Sequence, residues 1–402
     1  MAKIINPDQE KIKDANNRKI LHLLMKKRQL SKQDISRLTK ISITTVTGNI
    51  NRLIEDGLAE EAGVADSTGG RKPMIIRFLP NGRYAFGVDF ASNHLTASNK
   101  IKVVLINLDA EVKDEEIFDY DKFSKIDDIM QYIKKVTEDI TARNKLSRDT
   151  ILGIGFALPG PVNEVKKILE LAPNLAASLG MKNVDFKKYD NLFTFPIYLE
   201  NEANAAAYSE LVMGTAKNKH NLVYLSINRG IGAGLVVRGH IYKGKNRRAG
   251  EIGHMTVASN GIKCTCGRKD CWEIYAASGA LIRNFNKLSQ EKITDTEQFL
   301  EKLKLKDKTA LKVWDKYLSY LTIGINNLIL GYDPHYIIIG GEISEFNSLL
   351  LNPLKKRIFE NNSFYKDGDL EILLSHLKED ASLIGAALLP FQKLFYGNNK
   401  II

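Results

Sequence analysis

All three cysteines of this 402-residue chain fall between positions 264 and 271. A disulfide framework would spread an even number of cysteines along the chain, so this cluster argues against one. With His254 upstream the spacing is H-x9-C-x-C-x4-C, which supplies three thiolates and one imidazole. That donor set suits a tetrahedral Zn²⁺ site. His254, Cys264, Cys266 and Cys271 are the expected ligands, and Gly267 gives the backbone freedom to wrap around an ion. Four protein ligands leave no open position for water, so the metal reads as structural. The competing reading is three buried free thiols beside an unrelated histidine.

The charge is as unevenly placed as the sulfur. The formal net charge is +11, and residues 1–80 carry 15 Lys/Arg against 9 Asp/Glu, about half of the excess in one fifth of the chain. A concentrated basic excess suits a phosphate-rich partner. Within this stretch Asn16–Lys27 reads as an amphipathic helix with Ile20, Leu23 and Leu24 on one face. Gln29-Leu30 is a short break. Ser31 then reads as an N-cap with Asp34 three residues on, opening a helix to about Thr39 that buries Ile35 and Leu38. Lys40-Ile41 is a tight turn, and Ser42 caps a third helix over roughly 43–56, whose apolar stripe is Ile43, Val46, Ile50, Leu53 and Ile54.

The other face of that third helix carries Thr44, Thr45, Gly48, Asn49 and Arg52, short polar groups and one arginine with no acid among them. Such a face approaches base edges closely without repelling phosphate. Strands at Leu58–Glu61 and Met74–Phe78 flank a loop of Ser67-Thr68-Gly69-Gly70-Arg71-Lys72-Pro73, in which Arg71 and Lys72 suit a phosphate or a minor groove. Helix, helix, helix, strand, basic loop, strand is the order of a winged helix-turn-helix. Ser42, Thr44, Thr45, Gly48, Asn49, Arg52, Arg71 and Lys72 are the candidate DNA-contacting residues. The competing reading is a three-helix protein-interaction module. No apolar run has the length of a membrane span, and the first residues, MAKIINPDQEKIKD, lack the apolar core of a signal peptide. A cytoplasmic protein with no membrane partner is expected.

Around the cysteine cluster the chain resembles the ROK family, which groups bacterial sugar kinases with sugar-responsive repressors. The resemblance rests on Glu251-Ile252-Gly253-His254, Cys264-Thr265-Cys266-Gly267 and Cys271-Trp272-Glu273, which match the family's metal signature. Ile154–Val162 looks like the strand and turn at the sugar cleft, and Ala172-Pro173-Asn174-Leu175 like a sugar-contacting loop. Glu200-Asn201-Glu202-Ala203-Asn204-Ala205 looks like the motif that carries the kinase base, in the form of the family's xylose-responsive repressors. Ile339–Glu342 and Ile384–Ala387 look like the glycine-rich nucleotide-side segments. The similarity spans about residues 84–390.

The resemblance implies a multidomain α+β chain: a winged helix-turn-helix over 1–80, then a two-lobed, actin-like (ribonuclease H-like) α/β domain. Its first lobe would cover 81–200, with a C-terminal helix over 385–402 returning to it, and its second lobe 201–384 with the metal loop. The strand-rich runs Tyr84–Ala91, Lys102–Leu108, Ile151–Ala157, Pro196–Leu199, Val223–Ile227 and Gly234–Val237, with a helical stretch over Ile126–Asn144, agree with an α/β alternation. Sugar contacts carried over from the family fall on Gly160, Asn174, Asn201, Glu202, Glu251, His254 and Glu273. Carboxylates and amides of this kind hold adjacent hydroxyls by paired hydrogen bonds. His254 would ligate the metal through one ring nitrogen and face a hydroxyl with the other.

Three departures from the family's kinases count against catalysis. The phosphate turn Asp-x-Gly-x-Thr is here Asp89-Phe90-Ala91-Ser92-Asn93, without the glycine that close approach to phosphate requires. Gly-Thr-Gly is here Asn228-Arg229-Gly230, and Glu202 stands where the kinases place an aspartate base. The expectation is therefore a non-enzymatic, sugar-released repressor that binds palindromic double-stranded DNA as a homodimer or homotetramer, with xylose or glucose as effector. An active ATP-dependent sugar kinase with an appended DNA-binding head is the alternative.

Overall fold

The computed structural model describes residues 7–64, 73–90, 100–172, 181–216, 219–360 and 364–396. The expectations for Ala91, Ser92, Asn93, Arg71, Lys72 and Asn174 lie outside these residues. The chain opens with α1 (Pro7–Lys27), β1 (Gln29–Ser31), α2 (Lys32–Thr39), α3 (Ile43–Glu55), β2 (Ala59–Val64) and β3 (Met74–Phe78). Ser31 caps α2: its Oγ accepts from the Asp34 amide at 3.0 Å and donates to the Asp34 carboxylate at 2.7 Å. The Asp34 carboxyl is held below its usual range, chiefly by the Arg37 guanidinium and then by this hydroxyl. Ser42 caps α3 in the same way, accepting from the Thr45 amide at 3.3 Å. Between the two helices Lys40 takes the left-handed conformation.

Three local expectations change. Gln29–Ser31 is a strand rather than a break, antiparallel to β3 with Leu30 opposite Ile76. Its partner lies far along the chain, and no local pattern carries that pairing. Leu38 is 45% exposed because Thr39 takes the inward position, bonding the Ile35 carbonyl at 2.6 Å. Ile43 is likewise 45% exposed, and the buried stripe of α3 begins one turn later, at Val46, Asn49, Ile50 and Leu53.

Two five-stranded sheets follow, built on one plan. The first contains β4 (Tyr84–Asp89), β5 (Lys100–Asn107), β6 (Val112–Asp119), β7 (Ile151–Leu158) and β11 (Ile197–Asn201), in the order β11-β7-β4-β5-β6. The second contains β12 (Leu222–Ile227), β13 (Ile231–Val237), β14 (His240–Ile241), β15 (Tyr336–Gly340) and β16 (Glu371–Leu374), in the order β14-β13-β12-β15-β16. In each, three strands form an antiparallel meander and two more add in parallel beside its first strand. A side sheet of β8 (Val162–Asn163), β9 (Ile168–Leu171) and β10 (Lys182–Asp185) extends the first lobe. Helix α4 (Ile126–Arg143) packs Ile129, Ile133 and Ile140 into the first core.

Helix α5 (Glu202–Val212) leads into the second lobe, which adds α6 (Trp272–Ala276), α7 (Ser278–Leu288), α8 (Thr296–Lys304), α9 (Lys308–Tyr332) and α10 (Ser348–Phe359). The chain returns to the first lobe as α11 (Ala381–Leu388) and α12 (Gln392–Tyr396), joined by a short 3-10 turn, so the returning helix starts ahead of position 385 and is broken rather than continuous.

Helices α5 and α11 cross where the two lobes meet, and small residues let them approach. A Cβ on Gly385 of α11 would lie 1.8 Å from the Ala205 carbonyl oxygen, and one on Gly234 of β13, which packs on α5, would lie 2.4 Å from that of Ala203. Alanines 203, 205, 206, 207, 386 and 387 fill the rest of the seam and are buried. The winged unit shares its core with the first lobe rather than standing apart. Ile20, Leu21, Leu24, Ile50 and Leu53 form one hydrophobic cluster with Val104, Leu383, Leu388, Phe391 and Phe395.

Candidate functional site

The four expected metal ligands converge. Ligand atoms of His254, Cys264, Cys266 and Cys271 all lie within 4.8 Å of one another. His254 Nδ1 is 3.8 Å from Cys264 Sγ, and the Cys266 and Cys271 sulfurs are 3.7 Å apart. Bonds of about 2.0–2.3 Å from one ion would span such separations in a tetrahedron, so the donors fit a metal. Asp270 shapes the loop, its carboxylate accepting from the amides of Gly261 at 2.7 Å and Ile262 at 3.0 Å and from the Tyr275 hydroxyl at 2.5 Å. Trp272, next to Cys271, anchors the cluster to α9. Its indole donates to the Tyr320 carbonyl at 2.9 Å and lies against Gly324, where a Cβ would come within 2.0 Å of the ring.

Six of the seven expected sugar residues are linked by contact or by mutual charge, Gly160 to Asn201, Glu202 to Glu251, and His254 to Glu251 and Glu273, while Asn174 lies outside the described residues. Gly160 has φ +88°, and a Cβ there would meet the Leu171 carbonyl oxygen at 2.1 Å, so glycine alone fits this turn. Asn201 ends β11 and caps α5. Its Oδ1 accepts from the amides of Ala203 at 3.0 Å and Asn204 at 3.1 Å, and its Nδ2 donates to the Gly160 carbonyl at 3.0 Å. Glu202, the first residue of α5, is half-buried. From the other lobe come Glu251, His254 and Glu273. His254 turns Nε2 toward Glu251 at 3.9 Å and Nδ1 toward Glu273 at 3.4 Å and the thiols. Glu273 also accepts from the Cys264 thiol at 2.9 Å.

Burial governs the acids of the cleft. It raises the Glu202 carboxyl to about 8, with the nearby charges of Asp89 and Glu251 adding to the shift. Burial also raises Glu251, partly opposed by His254. A carboxyl that keeps its proton near neutral pH both donates and accepts, so it can meet a hydroxyl in either role. Sequence reasoning placed Asp89 only in the altered phosphate turn. The structure buries it at the end of β4, where the Ser382 hydroxyl at the start of α11 donates to its carboxylate.

Asn228, the residue after β12, reaches with its side chain into the turn after β15. Its Oδ1 accepts from the Glu342 amide at 2.9 Å, and a Cβ on Gly341 would meet that oxygen at 2.4 Å. The Asn228 side chain thus fills the space between the two glycine turns.

The outward face of α3 carries Thr44, Gly48, Asn51 and Arg52, all exposed, with Thr45 half-buried. A Cβ on Gly48 would meet nothing within 4 Å. Arg52 is half-exposed and its guanidinium lies 3.3 Å from the Asp14 carboxylate. Asn49 does not join this face. It is 2% exposed, and its amide folds back to the Thr45 carbonyl at 2.8 Å. Asn51, which sequence reasoning passed over, takes the outward place. The signal was available in its spacing, three residues after Gly48 and seven after Thr44.

Comparison with known proteins agrees with both halves. The ROK family model matches residues 97–393, and a winged helix-turn-helix DNA-binding model matches residues 13–60. The chain is 29% identical over 386 residues to the xylose repressor of Bacillus spizizenii, covering 94% of this chain and 95% of that one. It is 27% identical over 284 residues to a glucokinase of Thermotoga maritima, covering 63% of this chain and 89% of the kinase. Among solved structures, a ROK family transcriptional regulator, a homologue of the E. coli Mlc protein, superposes with a TM-score of 0.78 at 24% identity, over 96% of this chain and 97% of that one. With the family match spanning well over half its length, the chain belongs to the ROK family and carries a winged helix-turn-helix at its N-terminal end.

Proposed function

We propose that the protein is a DNA-binding transcriptional repressor released from its operator by a free monosaccharide, and that it does not transfer phosphate. The observation that carries this reading is the physical join between reader and sensor. Ser382 at the start of α11 holds Asp89, buried beside Glu202. Thirteen residues later Phe395 meets the winged unit, its carbonyl accepting from His22 Nε2 at 2.9 Å and its ring lying 5.8 Å from the imidazole. One C-terminal segment therefore touches both a carboxylate whose charge acts on Glu202 and the helix that backs α3.

In this reading Thr44, Thr45, Gly48, Asn51 and Arg52 present α3 to a major groove, with Ser42 at its start, and Arg71 and Lys72 reach phosphate from the wing. Two copies would set two such helices about 34 Å apart on a palindromic site. Zn²⁺ on His254, Cys264, Cys266 and Cys271 fixes the loop that presents Glu251 and Glu273, and leaves His254 Nε2 facing the cleft. Sugar held by Glu202, Glu251, His254 and Glu273 draws the lobes together across the α5–α11 seam, and α12 carries that shift to α1. The filled turn at Asn228 supports the absence of phosphoryl transfer. Linkage requires that a sugar which weakens DNA binding be itself bound more weakly by the DNA complex.

The test is fluorescence anisotropy on operator DNA at fixed salt, with D-xylose and D-glucose titrated separately. A fall in operator affinity with at least one of them is expected. Affinity unchanged by either, or steady ADP release with ATP and sugar, would overturn the reading.

A further inference from the structure

Residues 242–250 connect β14 to Glu251, and their backbone belongs to the second lobe. The Ala249 amide donates to the Lys243 carbonyl at 3.1 Å, and the Ala233 amide on β13 donates to Gly250 at 2.9 Å. Gly250 has φ +100°, and a Cβ there would lie 2.1 Å from the Ala233 carbonyl oxygen, so the end of the segment is pressed against its own sheet. The side chains point the other way. Lys243 Nζ lies 2.7 Å from Glu200 and 3.3 Å from Glu164. Arg247 lies 2.8 Å from Glu164, and Arg248 lies 2.9 Å from Glu170. All three acids belong to the first lobe, Glu200 on β11 and the other two on the hairpin of β8 and β9.

Glu200 is the deepest of the acids, 3% exposed. Its other oxygen accepts from the Asn201 amide and from Asn204 Nδ2, each at 3.0 Å. The carboxylate that Lys243 neutralises therefore sits under the start of α5, beside Asn201 and Glu202. A buried carboxylate stripped of its cation is strongly destabilised locally, whereas half-exposed pairs contribute little. The grip should thus be graded, strongest at Lys243 and weakest at Arg248, the most exposed of the three cations.

We propose that this strap is an interlobe latch and that Lys243 is a positioning residue for the sugar, holding the Glu200–Glu202 motif of one lobe in register with Glu251 of the other. The proposal rests on the sugar-responsive reading. It adds what that reading lacks: a device that sets how much sugar is needed for release.

The experiment measures D-xylose and D-glucose affinity by calorimetry on the full-length, metal-loaded protein. Lys243→Met should weaken binding of the active sugar on the order of tenfold or more. Glu164→Gln should weaken it less, and Arg248→Ala within about twofold. Lys243→Arg should restore most of the loss, and operator affinity without sugar should stay within about twofold of wild type in every variant. The double variant Lys243→Met, Glu200→Gln removes the stranded charge and guards against a merely misfolded single variant; it should weaken sugar binding similarly.

A Lys243→Met protein, or its double variant, that binds sugar as wild type does overturns the latch. If the wild type binds neither sugar, the functional reading fails, and hydrogen–deuterium exchange without ligand then decides the latch on its own. Faster exchange over 197–204 and 243–254, with 20–55 unchanged, supports it; wild-type exchange in both windows removes it.

Discussion

Glu202 shows what a single position adds to the chemistry of the cleft. With its carboxyl raised to about 8 from an ordinary 4.5, the folded protein holds a proton there that the unfolded chain has lost. The folded state binds more protons across that window, so its stability falls as pH rises through it. Glu202→Gln should remove this loss. Thermal melts from about pH 5 to about pH 9 should decline less steeply for the variant, and parallel profiles would show that the carboxyl ionises normally. The identity of such residues was legible from motif resemblance, but their environment was not. Asn49 makes the same point for DNA: helical periodicity placed it on the polar face, and a bond to the Thr45 carbonyl turned it inward.

Elements were legible where local chemistry decides them. The caps at Ser31 and Ser42 and the ends of α3 followed from residue type and spacing. Strand β6 went unread because its sequence, Val-Lys-Asp-Glu-Glu-Ile-Phe-Asp, has the charge of a solvent-facing sheet edge rather than an apolar run. Helix α3 offers a test in which stability and function part. Gly48→Ala should stabilise the helix by about 0.5–1 kcal/mol, since the added methyl is unopposed. The same methyl should weaken operator binding, by melting and anisotropy respectively; unchanged affinity would move the DNA contact off this part of α3. The α5–α11 seam behaves in the opposite way. Gly385→Ala drives a methyl into the Ala205 carbonyl and should cost on the order of 1–3 kcal/mol, read as a lowered melting temperature. A variant as stable as wild type would mean that the seam has slack.

At the scale of the molecule, the order of reader and sensor was legible, and their joint core was not. That core depends on α1 meeting α12, segments 373 positions apart at the His22–Phe395 contact. Surfaces that meet across such a distance leave no periodicity to read. Phe395→Ala should destabilise the winged unit and the first lobe together, by about 3–5 kcal/mol, in one shared transition. It should also blunt the effect of sugar on DNA more than it weakens DNA binding itself. Differential scanning calorimetry showing an untouched, separate winged-unit transition would count against the join.

Trp272 gives the molecule an optical readout of its own. The chain has two tryptophans, and this one stands in sequence between Cys271 of the candidate metal site and Glu273, wedged on Gly324. Trp314 is buried in stacked contact with Tyr317 and Phe346. Intrinsic emission should therefore shift when a chelator strips the loop and again when sugar is added to the loaded protein, while Trp314 supplies a steady background. A Trp272→Phe protein, dark to both additions, would assign the signal, and the sensor's occupancy would then be read without any label.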